Sequence, residues 1–173
     1  MKTITRLCLL GIPILFIQCS KDNEPDTNPV SQAEFTIIQN GSDQVITYNS
    51  TSNLIFCRDF GDEMWIRLAQ SQNSNGDNEP HIDIDLCNYS GPGTYTPINP
   101  HVRPCTTPFG WDIWWHGAQT TYANQGNSSP CQLILEINGN VLTGTFNCND
   151  LLQFEGQDTI DITDGSFVCT ITN

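Results

Sequence analysis

Short runs of alternating apolar and polar residues recur along the chain and are separated by turn residues. His81–Cys87 is a clear case, because three aliphatic side chains alternate with polar ones, as in a strand with one buried face. No window shows a sustained apolar period of 3.6 residues, so we expect little helix. The segments predicted to be strands are Phe35–Ile38, Val45–Tyr48, Leu54–Phe60, Met64–Ala69, His81–Cys87, Thr94–Ile98, Trp111–Trp115, Gln132–Ile137, Val141–Cys148, Thr159–Thr163 and Ser166–Thr172.

Asn-Gly and Asp-Gly pairs mark the sharpest turns between these segments. They occur at Asn40-Gly41, Asn138-Gly139 and Asp164-Gly165. Such pairs favour type I′ hairpins, because both central residues need a positive φ. Many short strands joined by tight turns predict an all-β fold, an antiparallel β-sandwich of immunoglobulin-like or jelly-roll-like form. We expect this single domain to occupy residues 34–173.

The first eighteen residues have the features of an export signal. Lys2 and Arg6 form a basic region, and Leu7–Ile17 is an apolar run of 11 residues. That run is shorter than the roughly 20 residues needed to span a bilayer, and it fits the apolar region of a secretory signal peptide. No later apolar stretch of the sequence approaches spanning length.

The end of this run resembles a known class of proteins. Leu15–Cys19 resembles a relaxed bacterial lipoprotein box, in which Cys19 becomes the lipidated first residue, and Ser20–Glu24 resembles the surface-export signal of lipoproteins of the Bacteroidota. The resemblance implies a lipoprotein signal peptide at residues 1–18, and acyl chains such as palmitate on Cys19 that anchor the chain in the outer membrane. Residues 19–33 then form the lipidated cysteine and a flexible tether. An ordinary cleaved signal peptide with an incidental cysteine is the alternative.

Three segments of the mature domain extend this resemblance. Asn138–Phe146 and Ile162–Phe167 are similar to the closing hairpin and the final strand of small β-sandwich surface lipoproteins of the Bacteroidota. Gly91–Tyr95 is similar to a segment in the middle of those domains. The resemblance implies a surface β-sandwich to which no reaction is assigned.

The charge balance narrows the choice of partners. The chain has 19 acidic and 6 basic residues, for a net charge of −13. Removal of Lys2 and Arg6 with the signal peptide leaves 4 basic residues against 19 acidic ones, a net charge of −15. Binding to nucleic acid depends on Lys and Arg displacing counterions from phosphates, so we exclude nucleic acid as a partner.

The cysteine count predicts a disulfide framework. Once Cys8 leaves with the signal peptide and Cys19 carries the lipid, an even number of cysteines remains in an exported chain, which is typical of disulfide pairing. Zinc binding is the alternative, but no two of the remaining cysteines have the Cys-x₂₋₄-Cys spacing of a zinc site. The predicted disulfide cysteines are Cys57, Cys87, Cys105, Cys131, Cys148 and Cys169.

Strand alternation suggests how these cysteines pair. Alternation around Cys57 and Cys87 places both on the wetter face of their strands. Cys148 and Cys169 are instead in phase with apolar neighbours, which places both on an inner face. We therefore expect two disulfides, Cys57–Cys87 and Cys148–Cys169. The two cysteines left over, Cys105 and Cys131, each lie beside a proline in a predicted loop.

The densest group of aromatic residues is Pro108–Gly117, which has three tryptophans in five residues. On a strand, Trp111, Ile113 and Trp115 face one way, so one tryptophan face can close the core. The opposite face presents Trp114 between Asp112 and His116, as in a sugar-binding platform where the ring stacks on C–H groups and polar flanks bind hydroxyls. Burial of both faces is the alternative. The candidate ligand-binding residues are Trp111, Asp112, Trp114, Trp115 and His116.

One face of the predicted strand His81–Cys87 offers metal-ligating side chains, namely His81, Asp83 and Asp85. Alternate residues of a strand spread over about 13 Å, too far for three side chains to reach one ion. We therefore interpret this face as solvated and polar, and we assign no metal or other cofactor. The preceding loop, Asn73–Glu79, lacks the first Asp and the last Glu of the helix-loop-helix calcium motif. A weak surface calcium site in this loop is left open.

The sequence contains no catalytic motif: it has no Gly-x-Ser-x-Gly, no His-Glu-x-x-His and no phosphate loop. Adjacent carboxylates such as Asp62 and Glu63 do not by themselves indicate glycoside hydrolysis, because any acidic surface offers such pairs. We therefore expect a protein that is not an enzyme. Asp158-Thr159-Ile160 resembles the O-glycosylation motif of the Bacteroidota, which implies an exposed Thr159 that carries a glycan.

Together these features predict a non-catalytic lipoprotein on the outer face of an outer membrane. We expect either an accessory subunit of an outer-membrane protein complex or a binding module. A carbohydrate-binding module that uses the Trp111–His116 segment is the more specific alternative. A hydrolase is the least favoured of the alternatives. The complex subunit requires an apolar surface patch of several hundred Å², the carbohydrate-binding module an exposed Trp114, and the hydrolase a cleft of convergent carboxylates.

Overall fold

The computed structural model describes residues 30–51, 53–70, 80–97, 110–117, 120–124 and 130–172, with the backbone alone for residues 110–112. The described chain is all-β, in agreement with the predicted class. No described segment is a helix of the length and apolarity needed to cross a membrane. The strands are β1 Gln32–Gln39, β2 Ser42–Asn49, β3 Leu54–Asp59, β4 Glu63–Ala69, β5 His81–Cys87, β6 Gly93–Tyr95, β7 Gly110–His116, β8 Thr121–Ala123, β9 Cys131–Asn138, β10 Val141–Gln153 and β11 Thr159–Thr172.

Most predicted strands correspond to observed ones with small shifts at their ends. β5 has the predicted bounds, and β1 begins at Gln32, two residues before the predicted start of the domain. β8 was not predicted, because three residues are too few for an apolar period to show. Thr159–Thr163 and Ser166–Thr172 are not separate strands as predicted, because β11 continues through both.

The strands form one hydrogen-bonded sheet that folds into two layers. The first layer has the order β2-β1-β11-β10-β9-β6, and the second has the order β3-β4-β5-β7-β8. The layers join where β11 pairs with β3 and where β10 pairs with β8. The result is a β-sandwich braced by disulfides. Its strand pairs are antiparallel as predicted, except that β11 and β3 run parallel.

The core lies between the layers and consists of side chains that alternate along each strand. Ile66, Ile84 and Ile113 occupy one cross-strand row of the second layer and are fully buried. Phe35 of β1 meets Trp115 of β7 edge to face, with 5.8 Å between ring centroids. Aromatic pairs of this kind contribute about 0.5–1.5 kcal/mol beyond their buried area, and this one holds the two layers together.

The two long strands β10 and β11, with 13 and 14 residues, are each bent by β-bulges. In β10 the register slips between Cys148 and Leu151, and Asp150 between them has a φ of 55°. In β11 the register slips around Asp164, which has a φ of 53°. A bulge adds one residue to one strand of a pair and so bends and twists it. The bends carry β10 and β11 from the first layer towards the second.

The predicted turns differ in their outcomes. Asn40-Gly41 forms the predicted type I′ hairpin, with φ values of 52° and 73°. At the next hairpin Asn138 pairs with Val141, so the central residues are Gly139-Asn140, of which the glycine alone has a positive φ. That is a type II′ pattern rather than the predicted type I′. Asp164-Gly165 is not a hairpin, because it lies in the bulge of β11 and pairing continues on both sides.

Two glycines of β10 and β11 leave room for phenylalanine rings on the opposite strand. Gly144 lies opposite Phe167, and Gly165 lies opposite Phe146. A side chain at Gly144 would collide with the ring of Phe167, and one at Gly165 would collide with the ring and carbonyl oxygen of Phe146. Each ring therefore packs directly on the backbone of its neighbour, so the absence of a side chain is a requirement of the core here.

The predicted disulfide pairing is wrong for both pairs. Cys57 is bonded to Cys169, and Cys131 is bonded to Cys148. Cys87 is also disulfide-bonded. Cys105 lies outside the described residues as well.

The errors have an identifiable physical cause. A wetter position for Cys57 requires its neighbour Phe56 to point into the core, because adjacent residues of a strand face opposite ways. In the structure Phe56 lies on the outer face, where its ring meets Trp65 edge to face. Cys57 therefore lies on the inner face and is fully buried. Cys131 is the first residue of β9 rather than part of a loop, and it lies directly opposite Cys148. Which strands are neighbours decides the pairs, and alternation along one strand does not contain that information.

We expect the Cys57–Cys169 disulfide to stabilise the fold more than the Cys131–Cys148 disulfide. The bonded residues are 112 and 17 positions apart respectively. Loop-closure entropy then gives about 4–5 kcal/mol for the first and about 3 kcal/mol for the second. Urea unfolding of the two double variants, Cys57→Ser with Cys169→Ser and Cys131→Ser with Cys148→Ser, measures the difference. Peptide mapping without reductant is the control, and a peptide linking Cys57 to any cysteine other than Cys169 would contradict the assignment.

Candidate functional site

The outer face of the second layer brings together polar and aromatic side chains from three neighbouring strands. Arg67 of β4, Asp83 of β5 and Trp114 of β7 lie in one cross-strand row. His81 and His116 face each other in the adjacent row. Trp65 lies two residues before Arg67 and therefore shares its face. We call these six residues the outer-face cluster: Trp65, Arg67, His81, Asp83, Trp114 and His116.

Arg67 and Asp83 form a two-point ion pair at the centre of the cluster. Arg67 Nε and Nη2 donate hydrogen bonds to Asp83 Oδ1 and Oδ2 at 2.7 and 2.6 Å, and the two side chains are 15% and 12% exposed. The guanidinium also lies 4.6 Å from the centre of the Trp65 ring, a contact worth about 0.5–2 kcal/mol. This geometry holds both charged groups in one orientation.

Two histidines and a tryptophan extend the cluster across β5 and β7. The rings of His81 and His116 stack with 4.2 Å between centroids and 14° between planes. The Trp114 ring is nearly parallel to that of His116, at 6.0 Å. His116 Nδ1 lies 3.2 Å from Thr121 Oγ1, and His81 Nε2 lies 3.8 Å from Asp83 Oδ2. The cluster is thus a continuous series of aromatic and charged groups.

The polar face of β5 is largely buried, with only Asp85 half-exposed, so the prediction of a solvated face is wrong. His81 is 2% exposed and Asp83 is 8% exposed, because Arg67 and His116 on the flanking strands pack against them. The opposite face of β5 carries the three aliphatic side chains and is buried in the core, as predicted. Both faces of this strand are therefore covered.

The side chains of one strand spread too far apart to share a metal ion. The fold, however, brings metal-ligating side chains together from two neighbouring strands. The side chains of His81 and Asp83 are joined by His116 of β7 in place of Asp85 of the same strand. The possible donor atoms of His81, Asp83 and His116 lie within 4.8 Å of one another. These three side chains are therefore the group in the described structure that could share one metal ion.

The predicted ligand-binding residues separate between the two faces of β7. Trp114 and His116 lie together on the outer face and are half-buried. Trp115 lies on the inner face, is 7% exposed and belongs to the core. Trp111 and Asp112 are part of β7, but their side chains fall outside the described part of the structure.

Trp65 and Arg67 belong to the site but were not predicted from the sequence. The signal was present, because Met64–Ala69 alternates in the same way as β5 and places both residues on the face opposite its aliphatic side chains. What alternation could not show is that Arg67 lies opposite Asp83. That pairing depends on the register of β4 against β5.

Trp115 also borders a cavity of about 580 Å³ between β1–β2 and β7–β8. Tyr48 and Tyr122 contribute to its wall. The polar groups there are bonded to one another, since Gln39 Nε2 donates to the Tyr122 hydroxyl at 2.9 Å and the Tyr48 hydroxyl donates to the Pro80 carbonyl at 3.0 Å. The cavity therefore has less unsatisfied hydrogen-bonding capacity to offer a ligand than its size suggests.

Other predicted sites are mostly outside the described residues. Thr159, the first residue of β11, is exposed, as O-glycosylation would require. Cys19 and the loop Asn73–Glu79 lie outside the described residues.

Tyr89, which lies between β5 and β6 and away from the cluster, has a pKa shifted from its ordinary value. Its hydroxyl is buried and has no hydrogen-bond partner among the described residues. Burial, reinforced by the nearby Tyr95 and Asp59, raises the pKa of Tyr89 to about 12. The neutral phenol is therefore the form that the fold favours.

We expect substitution of one partner of the Arg67–Asp83 pair to destabilise the domain more than substitution of both. Asp83→Leu or Arg67→Met leaves a charge with little access to water, which costs about 3–5 kcal/mol, whereas the double variant is expected to cost much less. Urea unfolding of all four proteins measures the coupling. Arg58→Met, at an exposed position of β3, is the matched control, with a change within about 0.5 kcal/mol. Additive losses in the double variant would contradict the ion pair.

We expect Tyr89 to make the domain less stable as the pH rises from about 10 to about 12. The unfolded chain releases the Tyr89 proton near its ordinary pKa of 10.0, whereas the folded chain holds it to about 12. Rising pH therefore favours the unfolded state in that window, and the effect is absent below pH 10. Urea unfolding at pH 9 and pH 11 should show a smaller fall for Tyr89→Phe than for the parent protein. An equal fall in both proteins would show that Tyr89 is not responsible.

Comparison of this chain with protein-family models, with curated proteins and with solved structures finds no match. The geometry of the outer-face cluster is therefore the main evidence on function that the molecule itself provides.

Proposed function

We propose that the chain is a non-catalytic carbohydrate-binding module, carried by a lipoprotein on the outer surface of an outer membrane, and that a neutral glycan binds at the outer-face cluster. One observation carries this proposal. Trp65 of β4 and Trp114 of β7 share one face of the sheet, with Arg67 on β4 and Asp83 on β5, the strand between them.

The chemistry of the cluster suits a sugar. An indole ring offers a flat apolar surface for the C–H face of a pyranose, and a guanidinium and a carboxylate offer donors and acceptors for hydroxyls. Both tryptophans are half-buried, so part of each ring is accessible. Phe56 and Arg67 hold Trp65, and His116 lies beside Trp114. A ring that is already held loses little conformational entropy when a ligand binds.

The electrostatics favour a neutral sugar over an acidic one. The positive charge of Arg67 is already paired with Asp83, so the cluster offers no second Arg or Lys for a carboxylate or sulfate. The chain as a whole has a net charge of −13, which repels anionic polymers at long range. We therefore expect uncharged oligosaccharides to be the ligands.

The pairing of Asp83 with Arg67 supports a binding role over a catalytic one. Glycoside hydrolysis needs two carboxyl groups that flank the scissile bond. Asp83 and Asp85 share the outer face of β5, but both oxygens of Asp83 accept hydrogen bonds from Arg67. Arg67 therefore fixes Asp83 and does not leave it poised as an acid or a nucleophile, although each oxygen keeps a second lone pair.

The exposed apolar side chains favour a binding module over a docking subunit. A surface for a permanent protein partner usually forms a continuous apolar patch. The large exposed apolar residues that the structure describes are instead dispersed. Val45 on β2 and Ile134 on β9 are separated by three strands, and Phe60 follows β3. Phe154 lies beside Trp114 of the outer-face cluster, with 6.3 Å between ring centroids. The accessory-subunit role has less support from this surface.

The membrane anchor rests on the N-terminal sequence. Lys2, Arg6 and the apolar run Leu7–Ile17 precede Cys19 in the order of a lipoprotein signal. The first described strand begins at Gln32, so residues 20–31 separate the proposed lipid from the folded domain. Such a spacer lets the domain reach ligands outside the membrane.

We expect the full-length chain, purified in mild detergent, to bind neutral oligosaccharides on a glycan array. Trp114→Ala and Trp65→Ala should each weaken binding by about tenfold or more, because loss of a central aromatic contact costs at least about 1.4 kcal/mol. Calorimetric titration with the strongest array ligand, together with the tryptophan fluorescence change, measures the effect.

Phe60→Ala is the matched control, because Phe60 is an aromatic side chain 57% exposed at the end of β3 and outside the cluster. It should bind the oligosaccharide as the parent protein does. Absence of binding to every neutral glycan, or an equal loss in Phe60→Ala and Trp114→Ala, would overturn the proposal.

A further inference from the structure

We infer that His81, Asp83 and His116 form a binding site for one divalent transition-metal ion, of which Zn²⁺ is the reference case. The three side chains come from two adjacent strands, and their donor atoms lie within 4.8 Å of one another. This inference does not depend on the proposed sugar function, since a metal ion can bind whether or not a glycan does.

One of the donor distances already fits a shared ion. Two ligands at about 2.1 Å from one metal ion can be no more than about 4.2 Å apart. His81 Nε2 and Asp83 Oδ2 are 3.8 Å apart, too far for a hydrogen bond but within that limit. His116 must turn out of its stack on His81 for its lone pair to converge on the same point. His116 is half-buried, so it has more freedom to turn than His81.

The neighbouring groups orient the proposed ligands. His116 Nδ1 lies 3.2 Å from Thr121 Oγ1. If that nitrogen carries the proton, Nε2 is the unprotonated nitrogen, whose lone pair can bind a metal ion. Arg67 uses one hydrogen bond on each oxygen of Asp83, and a carboxylate oxygen has a second lone pair. Arg67 thus acts as an outer partner that fixes the carboxylate.

The donor set selects the class of metal. Two imidazoles and one carboxylate suit Zn²⁺, Cu²⁺, Ni²⁺ or Fe²⁺. Ca²⁺ takes six to eight oxygen ligands, which this group of three side chains does not provide. The partial burial of the site, with His81 2% exposed, favours a specific ion over loose surface binding.

The test is titration of the full-length chain, purified in detergent and treated with EDTA, with ZnCl₂ in a calorimeter. We expect one Zn²⁺ per chain and a rise in unfolding temperature. His116→Gln should weaken Zn²⁺ binding by more than the 10–100-fold that loss of an outer partner costs. His116 is the ligand to replace, because it is half-buried and its loss disturbs the fold least.

His101→Gln is the matched control, because it removes the remaining histidine of the chain and should leave the stoichiometry and affinity unchanged. Electron paramagnetic resonance of the parent protein loaded with Cu²⁺ gives a readout that does not depend on any variant folding. The spectrum should show two imidazole nitrogens bound to the copper. Bound Cu²⁺ should also quench Trp114, whose ring lies 6.0 Å from that of His116.

Three results would overturn the inference: no saturable Zn²⁺ binding, binding that His116→Gln leaves intact, or a Cu²⁺ spectrum with oxygen ligands alone. Since no sugar is present in these titrations, their failure would not bear on glycan binding, and failure of the glycan array would not bear on them.

Discussion

Everything else in the fold depends on two strands that serve both layers. β10 and β11 pair with each other along most of their length, and β11 also pairs with β3 while β10 pairs with β8. A straight strand could not do this, and the bulges at Asp150 and Asp164 provide the bend. The Cys57–Cys169 disulfide then bridges the corner where β3 and β11 share the short parallel pairing.

The same arrangement creates the outer-face cluster. Closing the core on the inner face of β4, β5 and β7 leaves their alternate residues on the outside. There Arg67 and Asp83 are largely withdrawn from water and hydrogen-bond each other, so neither charge is left without a partner. The aromatic rings of Trp65, His81, His116 and Trp114 fill the space around the pair. Stability alone does not account for this polar and aromatic surface, because apolar side chains of similar volume would hold the strands together at least as well.

The candidate site was partly predictable. Alternation in the tryptophan-rich segment placed Trp114 and His116 on one face and Trp115 on the other, and the structure has them so. It also placed His81 and Asp83 on a shared face, but it could not show that this face is buried, because the burial comes from Arg67 and His116 on other strands. The predicted disulfide pairs were wrong for the same reason, because bonded cysteines are neighbours across strands.

The sequence by itself determined the all-β class, most strand positions, the disulfide bonding of the described cysteines and the side chains that share a face within one strand. These properties follow from local alternation and turn chemistry, which act over a few residues. The tertiary structure alone decided the strand order, the bulge at Asp164-Gly165, the pairing of Cys57 with Cys169 and the meeting of Arg67 with Asp83. Register and strand adjacency are set by the packing of the whole core, and a single strand carries no record of which neighbour it will have.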